Sequence, residues 1–462
     1  MGEVIDNKGN TYQIEKALAE GGQGRTYLLQ GGRYIAKLFF GNHDDLLLRS
    51  KIQFLISLHL DKNIYACPLW EITAPRSGYI AEFASGMIPL TEWIYRGQCD
   101  SDFQKWFLET GGLRKRYALL RELASALRSL HAKGLAYCDL SSDNVFVSQR
   151  PEKNNIFLID LDNLRYKSSV VQNIYTPRFG APEIVNKLAP NTPSSDSFSF
   201  AVLAFMVLTT NHPLIGDYVD EGEPELEEDA LAGKLPWVDN RNDTRNALTR
   251  AIPSDIMMSP RVHELFRRTF EEGLNDPIQR PSMGEWYDEL HRAVNELVHC
   301  PNPECNMDFL YGHRTECPLC GQIIEKAYKI QMRRWEQIPY YDEVTHKMCE
   351  NGKGSFQLQQ KVYEELVVTS STPRMVNASH FIAPSHPAEP FLLISVESGD
   401  REDILVLTPQ DNHRFYIYKR SGEYVREFNG PVRIRIAKKE TKEKMMISVE
   451  HCDQPQRVLT ID

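Results

Sequence analysis

The sequence predicts an α+β chain that is strand-rich at its start, helical through its middle and all-β at its end. Three observations carry this. "YQIEKALAEGGQGRTYLLQGGRYIAKLFF" alternates β-branched and aromatic residues with glycine-containing turns. "LRKRYALLRELASALRSLHAKG" places its apolar residues at helical spacing before a glycine stop. From residue 391 onward, seven short apolar segments, "FLLISV", "ILVL", "FYIY", "EYVREF", "VRIRI", "MMISV" and "RVLTI", lie between turn signals. With 462 residues, 42% hydrophobic and 25% charged, the chain is long enough for two or three separate cores. A net charge of −10 gives no overall basic footprint, so neither nucleic acid nor an anionic membrane is an expected partner. No run approaches the ~20 apolar residues of a spanning helix, and the first residues, "GEVIDNKGN", are polar. Nine scattered cysteines, four of them between 300 and 320, fit a reducing compartment, so a cytoplasmic location is expected.

In order along the chain, Tyr12 to Phe40 reads as strand, turn, strand, turn and strand, with Gly21, Gly22, Gln23 and Gly24 at the first tip. Glycines there permit φ > 0 and let backbone N–H groups approach a polyphosphate. Lys37, at the end of the apolar run "RYIAK", supplies one cation within reach of such phosphates. "DDLLLRSKIQFLISLHL" has helical apolar spacing, with Asp44 and Asp45 in its first turn. A strand through Phe83, a flexible Ala-Ser-Gly connection and the long helix stopped by Gly134 follow. Then come "GLAYCDLSSDNVFV" and "NIFLIDLDNLRY".

From about residue 10 to residue 296 these segments resemble the eukaryotic-type (Hanks-type) Ser/Thr protein kinases. "AEGGQGRTY" is similar to their phosphate-covering loop, "YIAK" to the strand lysine motif and "LHAKGLAYCDLSSDN" to the catalytic loop. "LIDLD" falls at the metal-binding Asp-Phe-Gly position, "YTPRFGAPE" at the end of the activation segment, "SSDSFSFAVLAF" at a buried helix and "DPIQRPS" at the closing arginine motif. The resemblance implies a bilobal fold over 1–296, divided near residue 83. It also implies ATP with Mg²⁺ or Mn²⁺ and a protein substrate. Lys37 would hold the α/β-phosphates, Asp160 and Asn144 the metals, and Asp139 would orient and deprotonate the acceptor hydroxyl. Ala19, Gly21, Gly22, Gln23, Gly24, Glu82, Phe83 and Ala84 would complete the nucleotide site. Glu183 with Arg280, and Asp196 beneath the catalytic loop, would be structural. Ser168, Ser169 and Thr176 are candidate phosphosites.

The departures are specific. Ala19 stands for the first loop glycine, and Tyr137-Cys138 precede Asp139 without the usual arginine. Ser141 stands where a γ-phosphate lysine is expected, and Asp162 replaces a glycine, adding a second carboxylate near the metal. Lys51 occupies the place of the helix glutamate that should pair with Lys37, and no glutamate lies between Glu20 and Glu71. The acidic run 217–229, eight acids, reads as a solvated loop or as a face for a basic substrate.

Cys300, Cys305, Cys317 and Cys320 form two close pairs with Pro and Gly beside them, the pattern of a closed, structural zinc ribbon over 297–322; His313 is a further candidate ligand. A helical linker is expected over 323–368, with a helix from about 322 to 337, then a Ser/Thr/Pro-containing linker near 369–390 within a small all-β binding domain, 369–462. Val432, Ile434 and Ile436 alternate with Arg433 and Arg435, predicting one buried and one basic face. The ribbon and β tail are similar to those of bacterial kinases encoded with a phosphatase and a von Willebrand-type protein in tellurite-resistance-like systems, which suggests such partners. Two functions stay open: a Ser/Thr kinase of low basal activity in signalling or stress response, and a pseudokinase scaffold that binds nucleotide and recruits partners.

Overall fold

The computed structural model describes residues 2–40, 46–94, 103–150, 152–166, 173–249, 251–312, 314–324, 326–339, 341–342, 347–348, 356–382, 389–399, 402–419, 421–436, 445–452 and 455–461. Asp44, Asp45, Ser168, Ser169 and His313 lie outside them. The chain divides into two compact units, 1–291 and 292–462.

The N-terminal unit begins with β1 (Glu3–Asp6), β2 (Thr11–Glu20), β3 (Gly24–Leu29), β4 (Tyr34–Phe39), β5 (Trp70–Ala74) and β6 (Gly78–Glu82). They close a barrel in the order β1-β2-β3-β4-β6-β5, with Val4, Leu29, Ala36, Leu38, Ile72 and Ile80 in its core. The opening run that reads as merely polar supplies β1, whose Val4 is fully buried and which closes the barrel by pairing with both β2 and β5. Helix α1 (Leu46–Ser57) packs Ile52 against Phe39, Tyr79 and Ala81.

The helical part follows. After β7 (Met87–Pro89) and α2 (Phe103–Glu109), α3 (Gly112–His131) runs largely buried and ends before Gly134, whose φ of 75° a side chain would resist. β8 (Leu135–Ala136), β9 (Val145–Ser148), β10 (Ile156–Leu158) and β11 (Arg165–Tyr166) are short ladders bracketing the catalytic-loop segment: β9 pairs with β7 and β10, and β8 with β11. After α4 (Pro182–Val185), α5 (Pro193–Thr209) starts at a Thr192 and Ser195 capping box and buries Phe198 and Phe200. Those rings pack edge-on against Phe270 and Trp286. Each such buried aromatic contributes roughly 1.5–3 kcal/mol. The acidic run forms two short helices, α6 (Asp217–Asp220) and α7 (Pro224–Leu231), rather than a loop. Pro224 at the first helical position and acids in the first turn favour that outcome.

The C-terminal unit carries the hairpin β12 (Leu297–His299) and β13 (Asp308–Leu310), then β14 (Tyr328–Pro339), β15 (Tyr341–Asp342), β16 (Lys347–Met348) and β17 (Phe356–Val368). The expected helix at 322–337 and helical linker at 323–368 are therefore corrected to strands. Ile330 and Met332 are buried and alternate with half-buried Gln331 and Arg333, a period of two, and β14 finds partners on both sides in β17 and a C-terminal strand. The linker expected near 369–390 is corrected as well. It contains β18 (Arg374–Asn377), and Val376, Ala378 and Phe381 are in the core. The seven segments read from the sequence form β19 (Pro390–Glu397), β20 (Asp403–Pro409), β21 (Phe415–Lys419), β22 (Tyr424–Phe428), β23 (Val432–Ile436), β24 (Met445–Ser448) and β25 (Arg457–Ile461). A six-stranded sheet, β17-β14-β25-β24-β21-β22, and a four-stranded sheet, β18-β19-β20-β23, share one apolar core, so the all-β region is larger than 369–462. On β23, Val432 is buried while Arg433 and Arg435 are exposed.

Candidate active site and metal centre

The ladders β8/β11 and β9/β10 deliver the polar loops of the N-terminal unit to one place. Asp139 leaves β8 three residues after its end, and its Oδ1 accepts from Thr176 Oγ1 at 2.7 Å while Oδ2 accepts from Asn163 Nδ2 at 3.3 Å. Asn144 donates its Nδ2 to the Asp139 carbonyl at 2.8 Å, which leaves its own amide oxygen available to a cation. Asp196 braces the loop from below: it accepts from the Tyr137 N–H at 2.6 Å and the Cys138 N–H at 2.9 Å, with His131 Nε2 at 3.0 Å. Those bonds hold Cys138 at a φ of 76°, a conformation a non-glycine residue adopts only under such constraint.

Asp160 also has a left-handed backbone, φ 55° and ψ 47°, and its carboxylate pairs with Lys37 from β4. The second carboxylate on Lys37 is Asp162, with Oδ2 2.5 Å from Nζ. Burial works against the Lys37 ammonium, yet Asp162 and Asp160 hold its pKa above the usual value. Tyr79, paired with Lys37 across the β4/β6 ladder, is buried. Burial pushes its hydroxyl well up, and the two aspartates add to the effect. On α1, burial pulls the Lys51 ammonium down, opposed by Asp162. Glu71 on β5 does not reach Lys37: it accepts from Arg49 at 2.6 Å and Gln53 at 3.3 Å.

The glycine tip behaves differently from the expectation of positive φ, since none of Gly21, Gly22 and Gly24 adopts it. Gly21 and Gly22 have open space around a notional Cβ, whereas at Gly24 that atom would sit 2.4 Å from the Leu38 carbonyl oxygen, so only glycine fits the β3/β4 ladder there. Ala19 ends in exposed strand beside them. Gln23 reaches across to Asn163 Oδ1 at 3.3 Å, linking the tip to the carboxamide that holds Asp139. Glu82, Phe83 and Ala84 line a separate open cavity of about 580 Å³ that includes none of Lys37, Asp139 or Asp160. Within it Glu82 faces Lys62 at 3.4 Å.

Away from the cleft, Arg280 and Glu183 form a two-pronged pair at 2.8 Å on both prongs, and the arginine side chain is 1% exposed. Thr176, a candidate phosphosite by sequence, spends its hydroxyl on Asp139. Asn163 is the contact that sequence reasoning missed as a site residue, and Thr176 is named from sequence only as a phosphosite, not as a partner of Asp139; both are uncharged, and only the chain's return to Asp139 gives them this role.

In the C-terminal unit, the sulfurs of Cys300, Cys305, Cys317 and Cys320 lie within 4.8 Å of one another, and Cys300–Cys320 and Cys305–Cys317 are 3.6 Å apart. That is too long for a disulfide, about 2.05 Å. It is close to the edge of a tetrahedron with Zn–S bonds of about 2.3 Å. The Gln322 backbone draws the Cys320 thiol down to about 7, while burial pushes Cys300 up to about 11. Four converging sulfurs and no carboxylate form a soft donor set that fits zinc.

Residues 100–290 match the protein kinase domain family. The chain is 25% identical over 317 residues to rat NUAK family SNF1-like kinase 2, a match covering 63% of this chain and 48% of that protein. It is 25% identical over 296 residues to Arabidopsis thaliana CBL-interacting serine/threonine-protein kinase 15, covering 60% of this chain and 68% of that protein. A shorter stretch of 98 residues is 34% identical to human ribosomal protein S6 kinase alpha-3, covering 21% of this chain and 13% of that protein. The chain thus spans about half the length of the rat relative. These findings support a protein kinase domain over residues 100–290, a stretch of mixed helix and sheet. No described helix is long and apolar enough to cross a membrane.

Proposed function

We propose that the chain transfers the γ-phosphate of ATP to Ser or Thr hydroxyls of proteins, at a low basal rate, in cytoplasmic signalling or stress response. The observation that carries the reading is the convergence of Lys37, Asp139, Asn144 and Asp160 on one cleft from three separate segments: β4, the loop between β8 and β9, and the turn after β10. Asp139 is placed to accept the acceptor hydroxyl's proton, and Thr176 and Asn163 fix its carboxylate orientation. Lys37 is the cation for the nucleotide phosphates. Asp160, whose side chain is 42% exposed, and the free Asn144 oxygen are hard oxygen donors that fit Mg²⁺ or Mn²⁺. When bound, that metal neutralises charge on the phosphates. The missing Ser141 lysine and helix glutamate weaken positioning without removing base or metal ligands, hence the low rate.

The four cysteines hold one structural zinc, and the all-β region serves as a binding module, with a phosphatase and a von Willebrand-type protein as candidate partners. The second reading is a nucleotide-binding scaffold. It is favoured by Lys51, by Ser141 and by the engagement of both Asp139 oxygens. γ-Labelled ATP with Mg²⁺ or Mn²⁺, followed by mass-spectrometric site mapping, decides between them. Label on Ser or Thr in the wild type, lost in Asp160→Asn, is the expected result. Equal trace label in both supports the scaffold. Elemental analysis of unchelated protein should find one zinc per chain; less than half an equivalent contradicts the zinc assignment.

A further inference from the structure

Lys37 meets two carboxylates that differ in their freedom. The Asp160 side chain is 42% exposed, whereas that of Asp162 is 3% exposed. A carboxylate at the solvent boundary can exchange one cation for another. A buried one cannot leave its cation without stranding a charge in a low-dielectric interior, which is strongly unfavourable. Of the two, Asp160 is therefore the partner that can turn to a divalent metal, and Asp162 the one that stays.

Among its described residues, helix α1 offers no alternative. Its sequence, "LLLRSKIQFLIS", contains no acid. Its Arg49 is committed to Glu71, and its Lys51 lines the same cavity of about 390 Å³ as Asp162. Among the described residues Lys51 has no ion-pair partner within 4.0 Å, so the helix presents a cation, not an anion, toward Asp162.

We propose that Asp162 is the fixed counter-ion of Lys37, a positioning residue that holds the ammonium for the nucleotide phosphates from the segment after β10 instead of from helix α1. The proposal rests on the nucleotide-binding part of the function above. Its consequence is that Lys37 is held whatever the position of α1, so movement of that helix does not switch the site off. Asp162, at the place of a glycine, and Lys51, at the place of a glutamate, are then one compensating exchange and not two defects.

The exchange can be reversed. Asp162→Gly removes the counter-ion, and Asp162→Gly with Lys51→Glu supplies a carboxylate from α1 into the space that Asp162 leaves. The readout is covalent labelling of Lys37 by an acyl-phosphate derivative of ATP, quantified by peptide mass spectrometry, because the amine reacts only when it is poised at the phosphates. Transfer of γ-phosphate is measured in parallel, and circular dichroism and melting confirm that each variant folds. Asp162→Gly should lose at least tenfold in labelling, Asp162→Glu should retain most of it, and the double variant should recover to within about threefold of wild type. Labelling of folded Asp162→Gly at the wild-type level, or a double variant no better than the single one, overturns the proposal. Wild type that is labelled in the expected pattern but transfers no phosphate leaves the pairing standing and removes the transferase reading. Wild type that is not labelled at Lys37 overturns the pairing, whatever the transfer assay shows.

Discussion

Arg280 and Lys37 are both buried cations of the N-terminal unit paired with carboxylates, and they are surrounded in opposite ways. Arg280 uses its planar fork on one partner, Glu183, and spends its remaining donors on the backbone carbonyls of Gly273, Ser194 and Leu274. Every donor is committed, and among the described residues no second acid pairs with it. Lys37 is a point charge shared between two acids, one of them near solvent. The first arrangement fastens Glu183 of α4 to the segment before the last helix of the unit, and it has no low-cost alternative state. The second can lose one partner and keep the other, which is what a site that must exchange a side-chain contact for a ligand requires.

The largest effect expected from this contrast is on stability. Arg280→Ala should destabilise the N-terminal unit by about 3–5 kcal/mol, because Glu183 and three carbonyls lose their donor together. Urea unfolding monitored on that unit checks it, and a loss under about 1 kcal/mol would mean that the pair is not what fastens α4.

Much of this was legible beforehand, for identifiable reasons. Lys37, Asp139, Asn144 and Asp160 stand in ordered motifs, and the four cysteines have ligand spacing, so local pattern sufficed to nominate them; the structure brings each set together. The strands β19 to β25 were legible because each alternates or concentrates apolar residues between turns. What failed was non-local. A helix over about 322–337 is expected because the mixed polar pattern in "YKIQMRRWEQIP" permits it, and only pairing with β17 and β25 makes the strand period decisive. β1 was invisible because four residues gain strand character only by closing a barrel. Asn163, and the contact of Thr176 with Asp139, are not legible because a neutral side chain has no signature as a partner until that partner is in view. Asp162 was noticed as an added carboxylate, but its attachment to Lys37 depends on how the turn after β10 folds back on β4.

Next in size is Asp196→Ala, which leaves the Tyr137 and Cys138 N–H groups buried without their acceptor and should cost about 2–4 kcal/mol at roughly 1–2 per orphaned donor. Hydrogen exchange at those two amides should rise with the loss of stability. Unchanged protection there would place their acceptor elsewhere. Asp162→Asn should cost far less, about 1–2 kcal/mol, because Lys37 keeps Asp160. A loss as large as that of Arg280→Ala would erase the distinction between the two cations. The smallest effect is expected on β23, where Arg433 pairs with Glu397 in the open, both side chains about half exposed. Arg433→Ala should change stability by about 0–1 kcal/mol, and by less at high salt.

The Lys37 side of this contrast is proposed to serve phosphoryl transfer, with Asp139 as the proton acceptor. The most direct test is the initial rate of transfer from Mg-ATP to Ser or Thr by Asp139→Asn beside wild type, at equal folded concentration. The expected rate is lower by about 10²-fold or more, with nucleotide affinity little changed. Equal rates for the two proteins would contradict it.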